Sequence, residues 1–261
     1  MENKTVGKVT GPGGVFFAAA DPEKLKAWYA DHLGIRSGFQ GADAEDHAKK
    51  IFVSWDVLPA ADQSLKDATK SFGYRYRVDA LAPLLEKLAA SDIHLLAAPA
   101  EDKSGKVARL LDPEGNLVEL WEPSGDVPAV AGPAGNVTGL GGLFFKTRNK
   151  EAIREWYASN LGFEMTQWGC SFFWTDPENP KVPARTEWST FPDNTEYFLP
   201  STKDFMLNYR VRDLVALITA LKSKGVELPA EMQEFSYGKF AWIVDPEGNK
   251  MELWEPIDDG F

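Results

Sequence analysis

The sequence predicts an α+β fold of two tandem βαβββ-type modules, each a curved mixed sheet forming a cup with helices on the outer face. Two observations predict it. A twelve-residue phrase occurs twice, DPEGNLVELWEP at residues 112–123 and DPEGNKMELWEP at residues 245–256, and only two letters differ. Around each copy, strand-period and helix-period stretches recur in the same order. Gly14 to Gly142 and Tyr29 to Tyr157 are offsets of 128, whereas Val78 to Val211 and Asp112 to Asp245 are offsets of 133. A repeat of that length is a duplicated domain with one length change of five residues, far too long for a solenoid unit.

The elements of the first module follow in order. Residues 15–20, VFFAAA, read as a short buried strand after GPGG. Asp21 and Pro22 open a helix as N-cap and first helical residue. Leu25, Trp28, Tyr29 and Leu33 recur at helical spacing, and Gly34 supplies the stop. Residues 38–50 are polar and read as weakly structured, and 51–55 read as a strand. In 72–78, Tyr74, Tyr76 and Val78 alternate with Arg75 and Arg77, the mark of a strand with one apolar face. Leu81, Leu84, Leu85 and Leu88 mark a second helix. Residues 107–111 and 117–121 flank the DPEGN turn as a hairpin. The second module repeats this pattern, with Trp156-Tyr157 for Trp28-Tyr29 and Tyr209-Arg210-Val211 for Tyr76-Arg77-Val78. The expected division is residues 1–124, a Gly-, Pro- and Ala-rich linker at 125–139, and 140–261.

Composition excludes several functions. A net charge of −11 argues against a phosphate-backbone partner and against an anionic membrane surface. No apolar run is long enough to span a bilayer. With one cysteine, Cys170, and no signal-like N-terminus, a cytoplasmic location is expected. No phosphate-binding glycine loop, nucleophile elbow or Cys-x-x-Cys site is present.

The chemistry-bearing positions cluster on the repeated phrase. Glu119 and Glu252 each sit amid apolar strand residues, with Trp121 and Trp254 two residues on and so on the same face. A buried carboxylate needs a partner. Arg75 and Arg77 in module one, and Arg210 in module two, are the expected ones. Ten aromatic residues fall between Phe163 and Phe205, against four in the matching stretch of module one, so module two is expected to hold the better pocket. Asn208, Phe144, Lys146, Trp174 and Trp188 complete the expected lining. Tyr29 and Tyr157 read as helix-on-sheet packing, and Cys170 as a buried, inert thiol.

The ordered set resembles the vicinal oxygen chelate superfamily, which holds glyoxalase I, bleomycin-resistance proteins and extradiol dioxygenases. The set comprises an aromatic-Tyr pair in the first helix, Leu-Gly at its end, an alternating strand ending in Val-Asp or Val-Arg-Asp-Leu, then DPEGN and Glu-Leu. It covers both halves of the chain. The resemblance implies a divalent metal held by His on the first strand, His or Glu on the middle strand, and Glu in the last. Spacing carries those positions onto Gly14, Gly73 and Glu119 in module one, and Gly142, Met206 and Glu252 in module two. Only the glutamates are ligands, while His32, His47 and His94 fall elsewhere. One carboxylate does not hold a catalytic ion, which wants three protein ligands. The expectation is therefore a glyoxalase/bleomycin-resistance-like protein that binds a small organic molecule without metal or other cofactor. The alternative is a divalent-metal-dependent lyase, isomerase or dioxygenase. The modules are expected to pair about a pseudo-twofold axis within a monomer, or the chain to form a homodimer.

Overall fold

The computed structural model describes residues 7–124, 137–177, 180–181 and 183–257. Module one runs β1 (Val9–Ala19), α1 (Pro22–Leu33), β2 (Gly38–Asp43), β3 (Lys50–Pro59), a 3-10 turn (Gln63–Leu65), β4 (Phe72–Val78), α2 (Leu81–Ala90), β5 (Ala100–Asp102), β6 (Gly105–Leu111) and β7 (Leu117–Pro123). Module two runs β8 (Val137–Thr147), α3 (Lys150–Leu161), β9 (Cys170–Thr175), β10 (Pro183–Pro192), β11 (Phe205–Val211), α4 (Leu214–Ser223), β12 (Gln233–Phe235), β13 (Gly238–Val244) and β14 (Lys250–Pro256). The strand–helix–strands unit thus occurs twice within each module, once opening on β1 or β8 and once on β4 or β11.

The helix boundaries follow from local chemistry. The Asp21 side chain accepts a hydrogen bond from the Lys24 amide at 3.1 Å, Pro22 occupies the first turn, and Gly34 ends α1 at φ 70°. Asn149 and Gly162 do the same for α3. Leu25, Tyr29 and Leu33 form the buried stripe of α1, as Ile153, Tyr157 and Leu161 do in α3.

Two sequence expectations are corrected. Residues 38–50 are not irregular throughout, because Gly38–Asp43 is strand β2. Its propensity is poor, but β3 pairs with one edge and β9 with the other, and such ladders override local preference. The GPGG and GLGG segments lie inside β1 and β8 rather than ahead of them. A side chain at Gly14 would place its Cβ 2.0 Å from the Ser54 Oγ, so only glycine lets β1 and β3 approach there. Residues 125–136 of the expected linker lie outside the described residues, and β8 begins at Val137.

The strands form one mixed fourteen-stranded sheet, in the order β12-β13-β14-β11-β8-β10-β9-β2-β3-β1-β4-β7-β6-β5. Each module supplies seven consecutive strands, and the halves join where β2 pairs antiparallel with β9 through Ala42–Thr175 and Asp43–Trp174. Alternation puts Val15, Phe17, Tyr74 and Tyr76 on the helix-covered face and Arg75 and Glu119 on the other. The helix-covered faces of the two modules meet in a single hydrophobic core. Rings interlock across it: Phe17 lies 5.4 Å from Phe205, and Tyr76 lies 6.0 Å from Tyr157.

Polar contacts between the modules are reciprocal. The Trp55 indole donates to the Tyr209 hydroxyl at 2.8 Å, and the Trp188 indole donates to the Tyr76 hydroxyl at 2.8 Å. The Tyr29 hydroxyl donates to Asp245 at 2.9 Å, and the Tyr157 hydroxyl donates to Asp112 at 3.1 Å. Each of these aspartates also organises its own turn, Asp112 by accepting from the backbone amides of Glu114 and Asn116 at 2.9 Å. Glu114 then reaches the start of α3, accepting from the Arg148 and Asn149 amides at 2.8 and 3.0 Å. Glu247 receives the Ala20 and Asp21 amides ahead of α1 at 3.2 and 3.0 Å. Each DPEGN turn therefore caps a helix of the opposite module.

Removing one such clasp tests this arrangement. Tyr29→Phe and Tyr157→Phe are each expected to lower the unfolding free energy by about 1–2 kcal/mol, since each strips a donor from a buried carboxylate. Urea titration reads the change, and unaltered midpoints for both would show that the hydroxyls contribute nothing.

Candidate functional site

The face of each sheet opposite the helices carries the repeated glutamates. In module one, Glu119 on β7 lies level with Arg75 on β4, and Arg109 on β6 faces it across the hairpin. Both arginines grip it. The Arg75 Nε donates to one carboxylate oxygen, and the Arg109 Nε donates to the other at 2.7 Å. Glu119 itself is buried, while both arginines keep part of their surface in water. The Arg75 guanidinium also lies 5.7 Å from the Trp121 ring centroid, and the Trp121 indole donates to the Ser104 carbonyl at 3.1 Å. Arg77 is directed away from this pair. Its guanidinium lies beside β1, with Nε donating to the Thr10 hydroxyl at 3.2 Å. Phe16, Leu65 and Leu117 fill the adjoining part of the cup.

Module two builds the same position from neutral donors. Glu252 on β14 lies level with Asn208 on β11 and opposite Trp242 on β13. The Asn208 amide donates to one carboxylate oxygen at 2.6 Å. The Trp242 indole donates to the other at 2.9 Å, joined there by the Tyr197 hydroxyl from the loop after β10. Burial raises the Glu252 carboxyl above its ordinary range, opposed by those hydrogen bonds and by the Lys250 charge. Lys250 donates to the Tyr197 carbonyl at 2.6 Å and lies over the Tyr197 and Trp242 rings.

Apolar residues fill the space beside Glu252. Phe144, Phe198, Met206 and Trp242 form one cluster, with Phe191 and Phe240 packed against it. The Lys146 ammonium lies 5.4 Å from the Phe198 ring. Further along the face, the Arg210 guanidinium sits 5.2 Å from the Trp254 ring and 5.7 Å from the Trp174 ring, and the Arg185 guanidinium lies 5.6 Å from the Trp254 ring. The Trp254 indole donates to the Tyr237 carbonyl at 3.3 Å.

These positions revise the sequence reading in four respects. The strand register places Arg75 and Asn208, not Gly73 and Met206, level with the glutamates, a shift of two residues on one face. Trp188 is not in the cup; it projects into the core between the modules, where it bonds Tyr76. Most of the extra rings of module two have structural places: Phe163, Phe172 and Phe205 join the shared core, while Trp168 and Phe173 are exposed. Arg210 does not pair with Glu252 as Arg75 does with Glu119, because Asn208 holds the level position. Cys170 is buried as expected, and burial pushes its thiol up to about 12.

Sequence reasoning missed Arg109, Trp242, Tyr197 and Lys250. The first two were accessible, because a hairpin closed by DPEGN sets Arg109 against Glu119 and Trp242 against Glu252. Lys250 shares a face with Glu252 by simple alternation. Tyr197 arrives from a long loop whose path no local pattern reports.

The donor sets do not fit a divalent metal. Two guanidiniums already surround Glu119 and would repel a cation. Glu252 is met by three hydrogen-bond donors, and Gly142 and Asn208 stand on the neighbouring strands. Among the described residues, no three His, Cys, Asp or Glu side chains stand together as a metal site.

Comparison of the whole structure places the fold. A scan of family models and a search of curated proteins each found no match to this sequence. Among solved structures, the Mn(II)-bound glyoxalase from Novosphingobium aromaticivorans is similar at a TM-score of 0.64 and 17% identity, covering 97% of this chain and 85% of that one. A catechol 2,3-dioxygenase is similar at 0.59 and 16%, covering 97% and 91%. The 2,2',3-trihydroxybiphenyl 1,2-dioxygenase from Sphingomonas wittichii is similar at 0.58 and 16%, covering 96% and 93%. The chain has the fold of the vicinal oxygen chelate superfamily, over nearly its full length.

Two outcomes follow for the glutamates. Arg75→Met leaves buried Glu119 with one cation and is expected to cost about 3 kcal/mol, and adding Glu119→Gln should restore most of it. Calorimetric or urea unfolding of the single and double variants checks this. For Glu252 the folded carboxyl is raised, so its contribution favours the folded state at acid pH and is lost as pH rises through the folded value. Relative to Glu252→Gln, the unmodified chain should therefore lose stability as pH rises above the ordinary carboxylate range. A stability difference independent of pH would refute the raised carboxyl.

Proposed function

We propose that the chain binds a small organic molecule in the module-two cup, in the manner of a glyoxalase/bleomycin-resistance-like protein, and does so without metal. The observation that carries this reading is the coordination of Glu252. At the level where the fold's metalloenzymes would need ligands, its carboxylate is held by Asn208, Trp242 and Tyr197, with Gly142 on the adjoining strand. The lining supports it. Aromatic faces and a few placed polar groups are what small-ligand sites are made of, and Trp254, Phe240, Arg210 and Arg185 supply both beside Glu252. Tyr197 is the most exposed of the three groups on Glu252, so its loop is the element a ligand displaces. On this reading Glu252 accepts a hydrogen bond from the ligand and Arg210 and Trp254 fix a flat part of it.

Two measurements test the proposal. Chain incubated with Mn, Fe, Ni or Zn and then desalted should retain far less than one ion per chain; a stoichiometric ion lost in Glu119→Gln or Glu252→Gln overturns the metal-free reading. A thermal-shift screen of small molecules should give ligands whose stabilisation is lost in Trp254→Ala and weakened in Glu252→Gln. Ligands indifferent to both substitutions would place binding elsewhere.

A further inference from the structure

A second cleft lies where the modules meet, away from both cups. It measures about 460 Å³, within the usual range for small-ligand sites, and its walls come from four segments. The last two turns of α1 supply Trp28 and His32, the turn after α4 supplies Lys224 and Leu228, the loop before β11 supplies Pro200, and the second DPEGN turn supplies Pro246. The Trp28 and His32 rings stack at 4.6 Å and 15°, which fixes the imidazole. The Lys224 ammonium donates to the Asp31 carbonyl at 2.5 Å and pairs with its carboxylate at 3.1 Å, bracing module two against module one across the opening.

The polar groups of this cleft are accounted for, with one exception. Lys224 is neutralised by Asp31. Asp245 has both oxygens occupied, one by the Glu247 and Asn249 amides and the other by the Tyr29 hydroxyl and the Asn249 side chain. Glu227 is exposed at the rim. His32 is different. Its Nδ1 meets the Trp28 carbonyl at 2.9 Å, and since a carbonyl only accepts, Nδ1 carries the proton. Nε2 is the ring's other nitrogen, and among the described residues no hydrogen bond reaches it. The side chain is 14% exposed.

We propose that this cleft is a second ligand site that takes a compact, flat, uncharged molecule carrying one hydrogen-bond donor, a phenol-like ring, with His32 Nε2 as the acceptor. The indole, the proline rings and Leu228 supply the apolar faces, and Lys224 is already paired with Asp31. The site is independent of the module-two cup.

The test uses the full chain with para-cresol and its isostere para-fluorotoluene, which lacks the donor. Titration is followed by nitrogen-15 NMR of the histidine side chains. Para-cresol should bind about fivefold more tightly than para-fluorotoluene, the worth of one neutral hydrogen bond, and should shift the His32 Nε2 resonance. His32→Phe keeps a flat ring on Trp28 and should abolish that preference while para-fluorotoluene still binds. Glu252→Gln should change neither affinity. No binding of either compound, a preference that survives His32→Phe, or binding lost in Glu252→Gln would each overturn the proposal.

Discussion

The exchange of DPEGN turns between modules is the constraint on which the rest of the molecule depends. Each turn has an aspartate whose carboxylate would be costly to bury without partners. Its own backbone amides supply some, and a tyrosine from the opposite first helix supplies another. The glutamate of the same turn receives the amides at the start of that helix. One turn thus fixes both the closure of its own hairpin and the seat of the other module's helix. The hairpin in turn sets the register that brings Arg109 to Glu119 and Trp242 to Glu252. Cup geometry and module pairing are therefore specified by the same residues.

The two cups solve one electrostatic problem differently. A carboxylate buried in a sheet must be met by cations or by hydrogen-bond donors. Module one uses two arginines. Module two uses an amide, an indole and a phenol, which leave the carboxyl raised and without a direct ion pair. The difference traces to single positions, Arg75 against Asn208 on the middle strand and Arg109 against Trp242 on the hairpin. Neither set resembles the donor shell of a divalent ion, although the fold is shared with a Mn(II)-bound glyoxalase. The fold alone does not carry the function.

Much of this was legible in the chain. The tandem repeat, the helix caps at Asp21 and Gly34, the alternation of Arg75 and Arg77 with tyrosines, and the central place of Glu119 and Glu252 all follow from spacing and local propensity. The pairing of Glu119 with an arginine followed from the rule that buried carboxylates need partners. The failures have physical causes as well. β2 has weak strand propensity and exists because β3 and β9 pair with it. Trp188 shares its composition signal with pocket aromatics but alternates onto the core face. Tyr29 and Tyr157 sit at packing positions, so nothing in their spacing announces the hydroxyl that reaches an aspartate more than forty residues, or two hundred, away.

The sequence by itself determined the period of the repeat, the faces of its helices and strands, and the burial of one glutamate in each module, because these depend on neighbours a few residues apart. Only the tertiary structure decided what each glutamate touches, which face Trp188 takes, and that the DPEGN turns serve the opposite module. Those outcomes depend on strand register and on contacts between distant segments, which local periodicity does not encode.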